Sequence, residues 1–276
     1  MTRPPDQIIG APLPEDAADT EAMRAGRPND ESWARGKSVG IMQPYLFPYI
    51  GYFQLIDATE RWVVFDTPQF IRHGWVNRNR ILHPTEGAQY ILAPLSKRPR
   101  HTPIQEMVLA DKAACLDRIR GQFQHYRKRA PFFEETNALL EATFEGDDPQ
   151  LCALIVRGLE LCCERLGIEF NARVFSEMSL DLDEVRGPGD WAPKIAQALG
   201  ASAYTNPLGG EALFDPEQFK EIQVELSILE TTLSPYAQGR RPFEPGLSIL
   251  DVFMWNTPEQ ARAMLAERIQ RPASVD

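Results

Sequence analysis

Short apolar runs alternate with segments of helical periodicity over most of the chain. The runs at residues 38–44 (SVGIMQP) and 61–66 (RWVVFD) are predicted to be buried strands. Residues 51–60 between them have the spacing of a helix with one apolar face. A helix that joins two such strands is typical of a parallel sheet, so we predict a βαβ unit at this point.

The later pattern predicts a helical block followed by a second series of strands and helices. Two strands are expected at 78–82 and 88–95, with a short edge segment at 107–110, before a helical block at about 111–167. After this block, strand and helix patterns alternate again. The chain is therefore predicted to be α/β, with a mostly parallel Rossmann-like sheet and a helical insertion. The later predicted strands are 172–178, 202–207 and 222–229, and the later predicted helices are 191–199, 215–220, 247–254 and 258–269.

The pattern also predicts where the folded domain begins and ends. Residues 1–36 are rich in Pro, Asp, Glu, Ala and Arg, which is typical of a disordered or weakly ordered segment, although 15–25 has the composition of a short helix. Residues 37–270 are predicted to form a single domain. Residues 271–276 are predicted to be a loose tail.

Composition narrows the classes of partner. The chain has 276 residues and a formal net charge of -10, so general nucleic-acid binding is disfavoured. Its four cysteines lack the spacing of a zinc site and are expected to be buried, reduced thiols, and no metal site is predicted. We expect a cytoplasmic protein, because no apolar run reaches the length of a membrane span or forms a signal-peptide core.

The loop QPYLFPYIGY, residues 43–52, is predicted to lie at the carboxyl end of the first strand. Ligands of open α/β sheets bind at that edge. Gln43, Tyr45, Tyr49 and Tyr52 supply one amide and three hydroxyls that are costly to bury without partners. These residues are candidate ligand-binding groups, and the alternative is a packed aromatic turn.

The segment 66–81 (DTPQFIRHGWVNRNRI) concentrates polar and cationic side chains after the second strand. Arginine forks suit phosphate and carboxylate groups, and an aromatic ring can stack on a base or a sugar. In an acidic chain this predicts a local anion site, with a set of surface salt bridges as the alternative. The candidate residues are Asp66, Gln69, Arg72, Trp75, Asn77 and Arg78.

Two further segments offer candidates with strong structural alternatives. In YTNPLGGEALF, Asn206 follows a predicted strand, and Gly209 and Gly210 allow backbone amides to face a ligand, although a plain turn has the same pattern. In PFEPGLSILDVFMWN, Ser248 is a plausible N-cap and Asp251 occupies the capping-box position. Asp251 is therefore either a capping residue or a cleft residue.

Together these motifs resemble the WbqC-like protein family. Members of that family resemble this chain in four motifs. The first two are QP-x-[YF]-x-P-x-x-GY after the first strand and VQF-x-x-x-GW-x-NRN-[RK]-I after the second. The other two are Y-x-[NS]-x-x-GG and, near the C-terminus, F-x-P-x-LSI-[IL]-D. Thr67 departs from the family pattern, where relatives often carry a second Asp. The resemblance covers roughly residues 38–270.

The resemblance implies a group-transfer enzyme that passes an acyl or aminoacyl group to an amine in surface-polysaccharide (O-antigen) or natural-product biosynthesis. Asp66 would be a base or orienting group, and Tyr52 and Asp251 are further catalytic candidates. Arg72 and Arg78 would clamp an anionic small molecule or carrier-linked substrate. Gln43, Tyr45 and Asn77 would position the acceptor.

Two alternatives stay open. One is a non-catalytic partner that holds a nucleotide sugar or a carrier domain. The other is a nucleotidylyltransferase-like enzyme of the HUP-like fold, because PYIGYFQLI is similar in layout to the HxGH loop, with Tyr49 and Tyr52 in the histidine positions. No cofactor is assigned by the sequence, and a homodimer is left open.

Overall fold

A computed structural model describes residues 32–239 and 242–273. Its centre is a six-stranded sheet in the order β5-β2-β1-β6-β7-β8, in which every pair is parallel except β7 with β8. The predicted mostly parallel α/β fold is therefore confirmed. The strands of this sheet are β1 (Ser38–Met42), β2 (Arg61–Val64), β5 (Ala172–Val174), β6 (Ala203–Pro207), β7 (Glu225–Thr231) and β8 (Arg268–Pro272).

The two faces of the sheet belong to two hydrophobic cores, as the two-residue period of a strand requires. Val39 and Ile41 of β1 pack in one core, whereas Met42 packs in the other. In β2, Val63 and Val64 divide between the cores in the same way. Because both faces are covered, these strands appear in the sequence as continuous apolar runs.

Helices cover both faces of the sheet. One core includes α1, the helices of the insertion and α7, while the other includes α5 and the short α6. Among the described residues, no helix is long and apolar enough to cross a bilayer. The helices are α1 (Ile50–Asp57), α2 (Lys112–Phe123), α3 (Phe133–Thr143), α4 (Leu151–Leu166), α5 (Trp191–Ala198), α6 (Pro216–Glu221), α7 (Ile249–Trp255) and α8 (Pro258–Ala263).

The segment between β2 and β5 contains an antiparallel hairpin and the helical block. Strands β3 (Arg78–Leu82) and β4 (Ala88–Leu92) form a separate two-stranded sheet, as their pattern predicted. The block follows as α2, α3 and α4, within the predicted limits of 111–167. All four cysteines are buried and unpaired, which confirms that prediction.

The structure corrects the sequence-based bounds at several places. The predicted helix at 258–269 forms as α8 and continues as a 3-10 turn at Met264–Ala266, but its end is wrong, because residues 268–272 form β8 against β7. The predicted strand at 172–178 ends at Val174 and continues as a 3-10 turn. The start of the predicted tail belongs to β8, whereas residues 274–276 lie outside the described part.

The end of the predicted N-terminal segment also differs from expectation. Ala34 is fully buried, and the N–H of Gly36 donates to the carbonyl of Gly200 at 2.8 Å. Residues 32–36 are therefore packed against the domain. The predicted disorder and short helix of residues 1–31 lie outside the described residues.

Gly40 provides a test of how tightly the sheet packs. A Cβ at Gly40 would lie 2.6 Å from Cζ3 of Trp62, a side chain that is 1% exposed. We expect Gly40→Ala to lower the free energy of unfolding by about 2 kcal/mol or more, because neither group has room to move. Gly121→Ala on α2 is the matched control, since nothing lies within 4 Å of its Cβ position.

Chemical denaturation of the two variants separates packing from backbone effects. The free energy of unfolding of Gly121→Ala should rise by about 0.5 to 1 kcal/mol, because alanine has a better helix propensity than glycine. Equal stability of Gly40→Ala and the parent protein would show that the Trp62 ring is not fixed in this position.

Candidate functional site

The signature loop at residues 43–52 is held by the other motifs of the sequence. The side-chain amide of Asn79 donates to the Leu46 carbonyl at 3.1 Å, and the Ser248 hydroxyl donates to the Phe47 carbonyl at 2.7 Å. Phe47 has a φ of 42°, a conformation that is costly for a residue with a Cβ. These two hydrogen bonds explain why separate motifs occur together, because each fixes part of one strained loop.

The tyrosines of this loop face the protein interior. Tyr45, Tyr49 and Tyr52 are 4%, 6% and 3% exposed, and Gln43 is 6% exposed. The Tyr52 hydroxyl donates to the Gln43 carbonyl at 2.9 Å, and burial raises its pKa well above the ordinary value. Gly51 is needed here because a Cβ would lie 2.5 Å from the Tyr49 ring. The loop is therefore a buried support beneath the carboxyl edge of the sheet.

Two loops that are about thirty residues apart in sequence lie side by side beyond the end of β2. The Gln69 amide donates to the Arg100 carbonyl at 2.8 Å. The Phe70 N–H donates to the Thr102 carbonyl at 2.9 Å. These bonds bring the predicted polar segment 66–78 against residues 97–102, which carry a second basic run.

A cavity of about 460 Å³ opens between these loops and the β3–β4 hairpin. Its lining includes five arginine or lysine residues and His73 but no aspartate or glutamate. This basic cavity stands out in a chain with a net charge of -10. Its lining residues are Phe70, Arg72, His73, Asn77, Arg78, Tyr90, Leu92, Leu95, Ser96, Lys97, Arg98, Pro99, Arg100, Thr102 and Met107.

Arg78 is the most constrained cation of the basic cavity. Its guanidinium carbon lies 4.5 Å from the centroid of the Tyr90 ring and 5.8 Å from that of Trp75. Its Nε donates to the Gly74 carbonyl at 3.0 Å, and its Nη2 donates to the His73 carbonyl. Arg78 therefore contributes charge to the cavity and also fixes the turn at residues 73–74, where His73 has a φ of 65°.

Asn77 also lines this cavity. It is 8% exposed, and its amide nitrogen donates to the Ala93 carbonyl at 2.9 Å. The structure thus brings together Arg72, Asn77 and Arg78 of the predicted set. Gln69 and Trp75 lie beside the cavity, where the first holds the Arg100 loop and the second flanks Arg78.

Comparison with known proteins places the chain in a family. The model of the WbqC-like protein family matches residues 43–263, which is most of the chain. The chain belongs to the WbqC-like protein family. It is also similar to the uncharacterized protein Rv1507c of Mycobacterium tuberculosis, with 27% identity over 218 residues, covering 78% of this chain and 92% of that protein. No solved structure gives a significant match.

Asp66 of this WbqC-like protein lies at the carboxyl end of β2 and is 1% exposed. Its carboxylate accepts hydrogen bonds from the N–H of Ser176 at 3.0 Å and from the Ser176 hydroxyl at 2.6 Å. Burial raises the pKa of Asp66, and these two bonds partly oppose that shift. Its backbone carbonyl accepts from the N–H of Gln105 at 2.9 Å, which connects it to the loop that ends at the basic cavity.

Asn206, Gly209 and Gly210 lie at the end of β6 and do not line the basic cavity. The Asn206 side chain accepts from the Tyr204 hydroxyl at 2.9 Å and donates to the Pro207 carbonyl at 2.8 Å. A Cβ at Gly210 would lie 2.7 Å from the Asn206 amide nitrogen. The glycine thus permits the asparagine to occupy this position next to β1.

Asp251 is fully buried and takes part in a different network. Its carboxylate accepts from the hydroxyls of Tyr126 at 2.5 Å and Tyr236 at 2.7 Å, and from the Gln238 amide at 3.3 Å. Burial raises the pKa of Asp251 to about 6. The predicted N-cap at Ser248 is confirmed, since its hydroxyl accepts from the Leu250 N–H, but the Asp251 carboxylate does not complete a capping box.

A second cavity, of about 620 Å³, lies beside this network. Tyr126 and Gln238 line it together with His125, Lys128, Arg129 and Trp255. It shares no lining residue with the basic cavity, so Asp251 and Arg78 belong to separate parts of the molecule. Among the described residues, no group of His, Cys, Asp and Glu side chains is arranged to hold a metal ion.

Several residues of the basic cavity and its surroundings were missed by sequence reasoning. Lys97, Arg98 and Arg100 form a basic run, KRPRH, that was a usable signal in an acidic chain. Tyr90 gave no such signal, because an aromatic residue in a strand is ordinary. Ser176 was hidden inside a predicted strand.

Proposed function

We propose that this WbqC-like protein is a group-transfer enzyme that acts on an anionic substrate held in the basic cavity. The observation that carries the proposal is the cavity lining of five arginine or lysine residues without a carboxylate. Five like charges that line one cavity repel one another, and an anionic ligand relieves that repulsion. The size of the cavity, about 460 Å³, suits a small molecule or the end of a carrier arm.

Phosphate is the group that best fits this lining. Arginine forks bind phosphate oxygens in pairs, and three of the five cations of the lining, Arg72, Arg98 and Arg100, are arginines in addition to Arg78. The exposed Tyr90 ring, 46% exposed, offers an apolar surface for the rest of the ligand. A nucleotide sugar, an acyl phosphate or a phosphopantetheine-type carrier arm carries both features.

The transferred group and the pathway follow from the family resemblance and remain part of the proposal. We propose acyl or aminoacyl transfer to an amine, in surface-polysaccharide or natural-product biosynthesis. Asp66 is the proposed base or orienting group, and Arg72 and Arg78 are the proposed clamp. The buried Gln43, Tyr45, Tyr49 and Tyr52 are proposed to support the edge of the sheet on which this site is built.

Removing two cations from the cavity tests ligand binding. We expect Arg98→Ala with Arg100→Ala to weaken binding of pyrophosphate, UDP and coenzyme A by about 150-fold, because each lost charged hydrogen bond costs about 1.5 kcal/mol. Calorimetry at low and high salt measures the effect, and added salt should reduce the affinity of the parent protein.

The matched control removes the same charge elsewhere. Arg118→Ala with Arg127→Ala changes two exposed cations that line neither described cavity, and its affinity should stay within about twofold of the parent. Equal weakening in both double variants would show only a long-range charge effect. Unchanged binding in the cavity variant would contradict the proposal.

Turnover decides between the enzyme and a binding partner. The purified protein is incubated with acyl thioesters, acyl phosphates and amino-sugar acceptors, and amide products are measured by mass spectrometry. Amide formation that disappears in Asp66→Ala with Arg78→Ala supports the proposal. Tight binding without product supports the non-catalytic alternative, and pyrophosphate release from a nucleoside triphosphate supports the nucleotidylyltransferase-like one.

A further inference from the structure

Ser176 and Asp66 form a close pair at the carboxyl edge of the sheet. β2 and β5 are parallel neighbours, so their carboxyl ends lie at the same edge. Asp66 follows β2 by two residues, and Ser176 follows β5 by two residues. The Ser176 hydroxyl donates to Oδ2 of Asp66 at 2.6 Å, and its N–H donates to Oδ1 at 3.0 Å.

The two partners differ in their exposure to solvent. Ser176 is exposed to solvent, whereas Asp66 is 1% exposed. A hydroxyl becomes nucleophilic when a base within hydrogen-bond reach takes its proton as it attacks. The N–H bond from Ser176 fixes the carboxylate so that its other oxygen points at the hydroxyl.

The thiol of Cys152, which also hydrogen-bonds Asp66, does not compete as the nucleophile. Cys152 is 7% exposed, and burial together with the charges of Asp66 and Glu177 raises the pKa of its thiol. A thiol needs to ionise before it reacts well, and this environment opposes ionisation. Of these two donors to the Asp66 carboxylate, Ser176 is the exposed one.

The pair lies near the basic cavity. Phe70, which lines that cavity, is four residues from Asp66, so their Cα atoms are at most about 14 Å apart. On the other side, Gln105 bonds to the Asp66 carbonyl, and Met107 lines the cavity. A substrate of carrier-arm or nucleotide size can therefore have its anionic part in the cavity and its reactive end at Ser176.

Resting on the proposed function, we propose that Ser176 is the nucleophile of the group transfer and Asp66 its general base. The Ser176 oxygen attacks the carbonyl carbon of an acyl thioester or acyl phosphate, and its proton passes to Asp66. The C–O bond to serine forms while the C–S or C–O bond to the leaving group breaks, and the leaving group takes the proton from Asp66. An acceptor amine then attacks the acyl-serine ester, forming the amide and returning a proton to Ser176 through Asp66.

Covalent labelling tests this assignment. The full-length protein is incubated with acetyl phosphate, acetyl-coenzyme A and a fluorophosphonate, and adducts are located by intact mass and peptide mapping. We expect one adduct on the peptide that contains Ser176. We expect Ser176→Ala to lose it and Asp66→Asn to slow its formation at least about 100-fold.

Ser202→Ala is the matched control, because Ser202 is exposed but precedes β6 at the opposite edge of the sheet. It should label like the parent. An adduct on another residue, or undiminished labelling of Ser176→Ala, would overturn the proposal. The peptide map of the parent protein decides the matter even if Ser176→Ala does not fold.

The pH profile provides a readout that a purely structural hydrogen bond would not change. Labelling should fall as the pH is lowered through the pKa of Asp66, which burial raises, because only the carboxylate accepts the proton. The ionisable neighbours are Cys152 on α4 and Glu177 beside Ser176. If pyrophosphate still binds but Ser176 is not labelled, only this inference is refuted. If Ser176 is labelled but anions do not bind, the proposal that the basic cavity holds the substrate is refuted instead.

Discussion

Replacement of Asp251 with alanine is expected to lower the free energy of unfolding by about 3 to 5 kcal/mol. The carboxylate is fully buried and accepts hydrogen bonds from Tyr126, Tyr236 and Gln238. Its removal leaves three buried donors without their acceptor and opens a void between them. Urea denaturation followed by circular dichroism measures the change.

The control for this variant is Asp117→Ala on the exposed side of α2, which should change stability by less than about 0.5 kcal/mol. The isosteric variant Asp251→Asn keeps the side-chain volume and one acceptor oxygen, so it should lose less stability than Asp251→Ala. If Asp251→Ala were as stable as the control, the network around Asp251 would contribute nothing to folding.

The same residue gives stability a specific pH dependence. The pKa of Asp251 is about 6 in the folded protein, against 3.8 when unperturbed, so folding favours its protonated form. The stabilising contribution is present below the lower value and is lost as the pH rises through about 6. Its ionisable partners Tyr126 and Tyr236 stay protonated there, since burial raises the pKa of each.

Subtracting Asp251→Asn isolates this effect from all other titrating groups. From about pH 4 to about pH 7, the parent protein should lose roughly 2 kcal/mol of stability relative to that variant. A difference that does not vary with pH would mean that Asp251 titrates normally.

Arg78→Ala is expected to weaken anion binding about 100-fold, which corresponds to about 2.7 kcal/mol. It removes a cation from the basic cavity and also the group that fixes the turn at residues 73–74. We expect an accompanying loss of about 1 to 2 kcal/mol of stability, because the contact with Tyr90 and the bonds to two carbonyls are lost together.

Three further variants separate the charge of Arg78 from its geometry. Arg78→Lys keeps the charge but lacks the planar fork, so it should recover only part of the affinity. Tyr90→Ala removes the ring beneath the guanidinium while Tyr90→Phe keeps it, so only the first should weaken binding. Calorimetry with pyrophosphate measures all three, and full affinity in Arg78→Ala would contradict the role given to Arg78.

The difference between expectation and structure is clearest in the neighbouring strands β7 and β8. The central residues of β7, Leu226, Ile228 and Leu229, are apolar and buried, and the strand was predicted within a few residues. Its neighbour β8, with the sequence RIQRP, has little apolar pattern, and it was predicted as the end of a helix and the start of a loose tail. β8 is a strand because the edge of β7 supplies its hydrogen-bond partners, and that edge exists only in the folded chain.

The candidate site divides in the same way. Arg72, Asn77 and Arg78 are close in sequence, so a local concentration of polar residues identified them. Tyr45 and Tyr52 come from an equally suggestive motif, but they are buried because the loop packs beneath the sheet edge. No local pattern distinguishes a tyrosine that faces a ligand from one that faces a core.

The sequence by itself determined the family, the α/β class, most strands and helices, and two of the five cations of the basic cavity, Arg72 and Arg78. These properties depend on neighbours within about ten residues or on motifs that are read directly. The tertiary structure alone decided which basic runs come together. It also decided that the Tyr126 hydroxyl donates to Asp251 at 2.5 Å and that the Ser176 hydroxyl donates to Asp66 at 2.6 Å. Those pairs are separated by more than a hundred residues, and only chain packing determines which distant side chains come within hydrogen-bond reach.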